Sequence, residues 1–328
     1  MTRISFIIVA YNAAGCLGAL LDDLRCQTIP PEQIEALLVD SASSDKTKAL
    51  MCDFAASAPF KVKVLDNPKR WLASGINVAL AAATGDAIIR LDAHARIPKD
   101  FLENNLRVLE TGEAIVGGCV AGGEIHSDWE AVLRTVDTSR FCGGAAPFRN
   151  GGEARYVDTL AYALYRREVY DQVGAYDERL RRTEDNDMHY RMRSAGYRFF
   201  FSPDIISYHS ARATLRGQLR QKWGNGYWIG RTMRIQPRCF APRHLIPAVF
   251  VLALLGCLLL APVSLWPLAL LLIAYLSCDL YFAVRGALSQ DRGRLLALAA
   301  LPLLFPAVHI VYGVGTIAGL LGKEKSHA

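Results

Sequence analysis

Between Ser210 and Cys278 the chain contains no Asp or Glu. Arg212, Arg216, Arg220, Lys222, Arg231, Arg234, Arg238 and Arg243 therefore accumulate without acidic neighbours in sequence, which disfavours a solvated face of paired ions. Such a stretch is suited to meet phosphate or an anionic lipid surface. Cysteines in metal-ligand spacing are also lacking: the eight that occur are scattered, which argues against a zinc site or a disulfide framework and suits thiols in a reducing cytoplasm. The turn after the first apolar run reads Tyr11-Asn12-Ala13-Ala14-Gly15, without the G-x-G-x-x-G that lets backbone approach a pyrophosphate, and this argues against a dinucleotide-dependent dehydrogenase. Internal repeats and low-complexity segments are absent. A secretory leader is not expected either. Arg3 and Ile4 to Ala10 precede Ala13-Ala14-Gly15-Cys16, but the run is too short for a signal core and reads better as a first strand.

Apolar residues make up 52% of the 328, and they are unevenly spread. Residues 1–209 carry 24 Lys/Arg and 28 Asp/Glu, whereas residues 210–328 carry 13 and 3. Three apolar segments, Leu245 to Pro262, Ser264 to Val284 and Leu295 to Leu321, each reach the roughly 18 residues that a bilayer-crossing helix needs. The basic cluster before the first and Arg285, Arg292 and Arg294 after the second would face the cytoplasm, with the uncharged turn Pro262-Val263-Ser264 outside. The third segment holds Pro302, Pro306 and His309 and is followed by Lys323 and Lys325, so charge bias favours a kinked re-entrant or broken helix there. The expected organisation is a catalytic domain over residues 1–210, a basic interfacial helical segment over 211–243 in which Trp223, Tyr227 and Trp228 stand among cations, and membrane helices over 244–322.

In the first part, strand-like runs alternate with helical patterns: Ile4 to Ala10 then Cys16 to Arg25, Ile34 to Val39 then Lys46 to Ala56, Val62 to Leu65 then Leu72 to Ala83, Ala87 to Leu91 then Phe101 to Glu110. This alternation predicts an α/β domain with a mostly parallel sheet. Further strands are expected near Ile115 to Val120 and Leu160 to Tyr165, with a helix opening close to Glu184 and a Gly-rich loop from Cys142 to Gly152. In such sheets ligands bind at the carboxyl ends of the strands. The run Ile88 to Leu91 ends there in Asp92-Ala93-His94, an acid and an imidazole on the same side of an extended chain and able to hold a divalent cation. Asp40 ends the second strand, where it can accept a hydrogen bond from a base or ribose, and Ser43, Ser44 and Asp45 are expected to cap the following helix. Glu184 and Asp185 open a helix whose dipole keeps acids ionised, as a general base requires, and Asp187 is the neighbouring substitute.

Together, Val9 to Asn12, Val39 to Thr47, Asn77 with Gly85-Asp86, Asp92-Ala93-His94 and Thr183-Glu184-Asp185 resemble the family 2 glycosyltransferases of GT-A fold, over about residues 3–235. The run Arg90 to Ala95 and the apolar tail resemble the ExoA-type succinoglycan glucosyltransferases in particular. The resemblance implies that Tyr11, Asp40, Asn77 and Asp92 bind a UDP-sugar, that Asp92 and His94 hold Mn²⁺ or Mg²⁺, and that Asp185 is the base with Glu184 placing the acceptor. His94 stands where the family has a second Asp, which suits Mn²⁺ better than Mg²⁺, and Ser41-Ala42 stands where Asp-Gly is frequent. His209, Arg212, Arg216 and Arg220 are candidate contacts to the diphosphate or acceptor.

The implied activity is inverting transfer of a hexose, glucose from UDP-glucose, onto a polyprenyl-diphosphate-linked saccharide in exopolysaccharide synthesis. The catalytic domain would lie on the cytoplasmic side of a bacterial inner membrane, with membrane lipids as partners and no nucleic acid. The Gln-x-x-Arg-Trp of processive members is missing, which favours one sugar per encounter. Open alternatives are a polyprenyl-phosphate sugar synthase, a membrane metal-dependent phosphodiesterase and a non-catalytic nucleotide-sugar-binding scaffold.

Overall fold

The computed structural model describes residues 2–142, 147–149, 151–209 and 214–322; Arg212, and residues 143–146 and 150 of the Gly-rich stretch expected as a loop, lie outside the described residues. Chain contacts divide into two units, residues 1–123 with 147–210, and residues 124–146 with 211–328. This differs from the contiguous division expected near residue 210: residues 124–146 group with the apolar helices, and the basic interfacial segment is part of that same unit.

The first unit alternates as the sequence pattern requires. It contains β1 (Ile4–Ala10), α1 (Leu17–Arg25), β2 (Ile34–Asp40), α2 (Thr47–Ser57), β3 (Lys61–Asp66), α3 (Leu72–Ala82), β4 (Ala87–Asp92), β5 (Ala95–Arg96), α4 (Phe101–Leu109) and β6 (Ile115–Gly122). One helix of the second unit, α5 (Asp128–Thr138), follows in sequence; then come β7 (Arg155–Val157), β8 (Leu164–Arg166), α6 (Arg167–Val173), α7 (Glu184–Ser194) and β9 (Phe199–His209). The sheet order is β3-β2-β1-β4-β8-β6-β9-β5, with β7 paired to β9. Strands β1 to β4 are mutually parallel, and β8 joins antiparallel to β4. Every residue of β2 is buried, because helices cover both faces of a parallel sheet. Register then fixes the ligand edge: Val9 stands beside Asp92, and Ala10 beside Asp40. At the far edge of the fold β5 pairs with β9, Ala95 against His209.

At the opposite end of the sheet a buried acid ties three segments together. Glu35 accepts from Ser5 Oγ at 2.6 Å, from Thr84 Oγ1 at 2.9 Å, from Gly85 N at 3.2 Å and from Thr84 N. A Cβ on Gly85 would lie 2.7 Å from Ser5 N, so only glycine lets this turn close on β1. Burial raises the Glu35 pKa, but the hydrogen bonds from Ser5 and Thr84 outweigh it and hold the carboxyl below its ordinary value.

The second unit is built around α11 (Arg294–Leu321), with α8 (Leu215–Met233), α9 (Ile246–Leu260) and α10 (Trp266–Leu288). Three helical stretches, Pro242–Leu260, Trp266–Leu288 and Arg294–Leu321, are long and apolar enough to cross a membrane. Helix α11 runs unbroken through Pro302 and Pro306. Val132, Leu133 and Val136 of α5 pack with Ala283 and Ala287 of α10 and with Ala297, Leu301, Leu304, Phe305 and Val308 of α11. His309 Nε2 donates to the Phe141 carbonyl at 2.7 Å, so its Nδ1 accepts from Tyr275 Oη at 2.9 Å. Helices α8 and α11 approach at glycines. A Cβ on Gly226 would stand 2.2 Å from Tyr312 O, one on Gly230 2.1 Å from Thr316 O, and one on Gly319 2.0 Å from Tyr227 O. Arg231 and Arg234 donate to the Gly322 carbonyl at 2.9 and 2.5 Å, closing the end of α11.

A pH dependence follows from Glu35. Its lowered folded pKa contributes stability above its unfolded value of about 4.3, and this is lost as pH falls through the folded pKa. Glu35→Gln should therefore destabilise by about 1–3 kcal/mol at pH 7. Thermal melts in detergent should show the gap between wild type and variant narrowing below about pH 4.3; a gap independent of pH would contradict the assignment.

Candidate active site

The loops after β1 and β2 are stapled to each other. Asn12 Oδ1 accepts from Ser44 N at 2.8 Å, Ser43 Oγ accepts from Asn12 N at 3.0 Å, and Asp45 Oδ2 accepts from Ala14 N at 3.1 Å. The expected helix cap from Ser43, Ser44 and Asp45 takes this form instead. Helix α2 starts after Lys46 with no side-chain cap, although Asp45 Oδ1 accepts from both Thr47 N and Thr47 Oγ1. Asp40 is buried and holds Ser43 N at 3.3 Å, while Tyr11 stands 53% exposed beside it in the chain order of the edge. Ala42 has φ 55°, the left-handed conformation that glycine adopts readily, so the turn keeps a glycine-like backbone despite its Ala.

Asn77 is placed elsewhere. Its Nδ2 donates to Tyr176 O at 2.9 Å and to Glu178 Oε1 at 3.2 Å, and its Oδ1 accepts from Tyr176 N at 2.8 Å. Its amide is thus committed to the segment leading to α7 and is not brought to the strand edge.

Three groups that can bind a metal converge at the end of β4. Ligand atoms of Asp92, His94 and His209 all lie within 4.8 Å of one another. Their convergence follows from topology: β4 ends in Asp92, the turn to β5 carries His94, and the Ala95–His209 pairing brings the end of β9 alongside. The rings of His94 and His209 meet edge to face with centroids 4.6 Å apart. Tyr162, buried and held at φ 53°, donates its hydroxyl to Asp92 Oδ2 at 3.1 Å and meets His209 Nδ1 at 3.1 Å. Burial, and then the Asp92 charge, push the Tyr162 pKa far up, so this hydroxyl keeps its proton. A donor set of one carboxylate and two imidazoles fits a borderline divalent ion such as Mn²⁺ better than Mg²⁺.

The acid pair stands on the first turn of α7. Arg90, two residues before Asp92 on the same face of β4, grips Asp185 with both terminal nitrogens, Nη1 to Oδ1 at 2.6 Å and Nη2 to Oδ2 at 2.7 Å. The same guanidinium lies 4.0 Å from Asp92 Oδ1 and 4.0 Å from Glu184 Oε1. Burial works against its charge, but Asp185 and then its other anionic neighbours hold the Arg90 pKa well above normal. Glu184 is buried with Oε2 unpartnered among the described residues; burial, and then the adjacent Asp185, push its carboxyl up to about 7. Behind them His189 bridges Thr159 Oγ1 at 2.8 Å and Tyr165 Oη at 2.9 Å, and burial pulls it down to about 4, so it is neutral at pH 7. Asp187 pairs with Arg191 at 2.8 Å and is spent there.

The edge therefore gathers Asp92, His94, His209, Glu184 and Asp185, with Arg90 and Tyr162 as residues that sequence reasoning missed. Arg90 had a legible signal, a charge inside an otherwise apolar strand two residues from an acid. Arg216 and Arg220 belong to α8 of the second unit.

Tyr162→Phe removes the hydroxyl that orients two of the groups able to bind a metal. Mn²⁺ affinity, followed by electron paramagnetic resonance on the purified protein, should fall about 10–100-fold with the circular dichroism spectrum unchanged. Unaltered affinity would show that the hydroxyl orients nothing.

The glycosyl transferase family 2 model matches residues 5–174, just over half of the chain. Succinoglycan biosynthesis protein ExoA of Rhizobium meliloti is 29% identical over 81% of this chain and 82% of its own length. A Methanococcus voltae enzyme named dolichyl N-acetyl-alpha-D-glucosaminyl phosphate 3-beta-D-2,3-diacetamido-2,3-dideoxy-beta-D-glucuronosyltransferase is 24% identical over 98% of both chains. Among solved structures, the Pyrobaculum calidifontis mannosyltransferase PcManGT in complex with GDP-Man and Mn²⁺ superposes with TM-score 0.62 at 22% identity, over 98% of this chain and 88% of that one. Staphylococcus aureus TarS with UDP-GlcNAc gives 0.51 at 16% identity, over 98% and 93%. The sheet is a GT-A sheet, and the chain belongs to glycosyltransferase family 2.

Proposed function

We propose that this enzyme is a membrane-anchored inverting hexosyltransferase that moves a sugar, glucose by its likeness to ExoA, from UDP onto a polyprenyl-diphosphate-linked saccharide. The catalytic unit would work at the cytoplasmic face of a bacterial inner membrane in exopolysaccharide synthesis. The observation that carries the reading is the meeting, around Arg90, of a metal-binding cluster and an ionisable acid pair on one sheet edge. A lipid-linked saccharide as acceptor is supported by the name of the Methanococcus relative and by the three apolar helices. Anchoring enzyme and acceptor in one membrane raises their effective concentration.

Asp92, His94 and His209 would hold a divalent ion. When bound, that ion neutralises negative charge developing on the leaving diphosphate. Asp185 is the base. Arg90 occupies one lone pair on each Asp185 oxygen and fixes the carboxylate plane, while the side chain remains 39% exposed and keeps lone pairs for the acceptor. The acceptor hydroxyl gives its proton to Asp185 as its oxygen bonds to the anomeric carbon, and the bond from that carbon to the UDP oxygen breaks on the opposite face, inverting the configuration. The unpartnered Glu184 Oε2 is available to a second hydroxyl of the acceptor sugar and would orient it. Exposed Tyr11 offers a face for the uracil, and Asp40 lies beside it on the same edge.

The test is UDP release from a panel of UDP-sugars by purified membranes, with and without Mn²⁺ and a lipid-diphosphate saccharide extract. Release should require both, and Asp185→Asn should lower kcat about 10²–10⁴-fold with donor binding kept. Full activity in Asp185→Asn with bare lipid phosphate would identify a sugar-phosphate lipid synthase instead, and release that ignores the lipid would identify hydrolysis.

A further inference from the structure

The basic residues of α8 are not alike. Lys222 pairs with Asp137 at 2.8 Å, and Arg231 and the following Arg234 are spent on the Gly322 carbonyl. Arg216 and Arg220 are exposed and make no ion pair or hydrogen bond among the described residues. They stand one turn apart, about 5–6 Å between Cβ atoms, and Trp223 continues the same face 42% exposed. Leu215 and Leu219 lie alongside, partly buried against the core of α5, α10 and α11. These five residues line an open groove of about 750 Å³. Its lining thus offers two guanidinium groups, two aliphatic side chains and an indole. The nearest acids along the sequence are Asp204 and Asp279, so α8 itself offers no carboxylate to compete for the guanidinium groups.

We propose that this groove binds the diphosphate and first isoprene units of a polyprenyl-diphosphate carrier. Two guanidinium forks a helical turn apart match two linked phosphates, each able to accept bidentate hydrogen bonds. Leu215, Leu219 and Trp223 offer the apolar contact that a free nucleotide or inorganic diphosphate does not use, and indole favours the level of the lipid head groups. A two-chain phospholipid with one phosphate would leave one of the arginines unmatched. The physiological meaning rests on the lipid-linked acceptor proposed above, whereas the binding itself requires no turnover.

The experiment uses the full chain in phosphatidylcholine nanodiscs and measures retention of added undecaprenyl diphosphate by native mass spectrometry. Wild type should bind at least about tenfold more tightly than an Arg216→Gln/Arg220→Gln variant, and Trp223→Leu should weaken binding while the arginines stand. Competition should fail with inorganic diphosphate alone and with phosphatidylglycerol at the same concentration. Equal retention by wild type and double variant overturns the proposal; so does displacement by inorganic diphosphate, which marks a simple anion site, or by phosphatidylglycerol, which marks a general lipid contact. In transfer assays the double variant should raise KM for the lipid acceptor about tenfold while KM for the nucleotide sugar moves less than about twofold. Retained lipid binding with no turnover of any nucleotide sugar would sink the transferase reading and leave the groove standing.

Discussion

Four charged groups meet at the end of β4, and three of them are carboxylates. Asp92 stands beside the two imidazoles, and Glu184 and Asp185 stand on the first turn of α7, so their mutual repulsion must be answered within the protein. Arg90 answers it from a side chain only 14% exposed, gripping Asp185 with two short bonds and standing 4.0 Å from each of the other two. Burying a guanidinium is tolerable only when it is paired and hydrogen-bonded, and here the acids that need it also satisfy it. The helix dipole of α7 adds a favourable potential for its first-turn acids, but it acts on Glu184 too weakly to offset burial, and that carboxyl rises to about 7. Strand β4 thus supplies both the counter-charge and a carboxylate able to bind a metal by simple alternation.

Local patterns made much of this legible. Alternating apolar runs gave the parallel half of the sheet, and strand ends gave Asp40 and Asp92 a common edge because register in a parallel sheet aligns them, with His94 in the turn that follows. The acid pair was visible at a helix start. What could not be read depends on where distant segments land. Arg90 acquires its role only when α7 is delivered opposite β4, 95 positions later in sequence. Tyr162 lies outside regular structure at a positive φ, so no periodicity marks it, yet it joins two members of the metal-binding group. Asn77 fits a family pattern, but its amide is satisfied by the backbone of Tyr176 and fixes the approach to α7. Ala42 departs from the residue frequent there while its backbone does not, since the loop staples of Asn12, Ser43 and Asp45 hold the turn.

The second unit poses a different problem, a polar helix packed on an apolar one. Helix α8 carries four cationic side chains, and α11 is long and apolar enough to span a bilayer, yet their backbones come within reach of each other's carbonyls at Gly226, Gly230, Gly315 and Gly319. Removing side chains from the contact lets dispersion and Cα–H contacts replace the burial of large apolar groups, which lipid would supply equally well. That leaves the charged face of α8 turned outward without cost to the packing. Residues 124–146 reinforce the same framework: Gln218 Nε2 donates to Leu133 O at 2.8 Å, and His309 braces Phe141 against Tyr275. Sequence order hides this, since α5 precedes its partners by about the length of the remaining GT-A strands.

In the proposed reaction Asp185 is a base held by an arginine, and such a grip ties up lone pairs that the acceptor's proton could use. For glycosyl transfer the balance favours the clamp. The acceptor hydroxyl becomes acidic only as its oxygen bonds to the anomeric carbon, so the base must be in place at that moment and need not deprotonate a free alcohol. Arg90 fixes the plane of the Asp185 carboxylate, and a fixed orientation lowers the entropic part of the barrier. The same guanidinium faces Asp92, so the charge that develops on the donor side and the proton taken on the acceptor side are balanced against one buried cation. Moving Arg90 would disturb both halves of the proposed reaction together, which is why a strand position, paired with Ile7 of β1, is the right place for it.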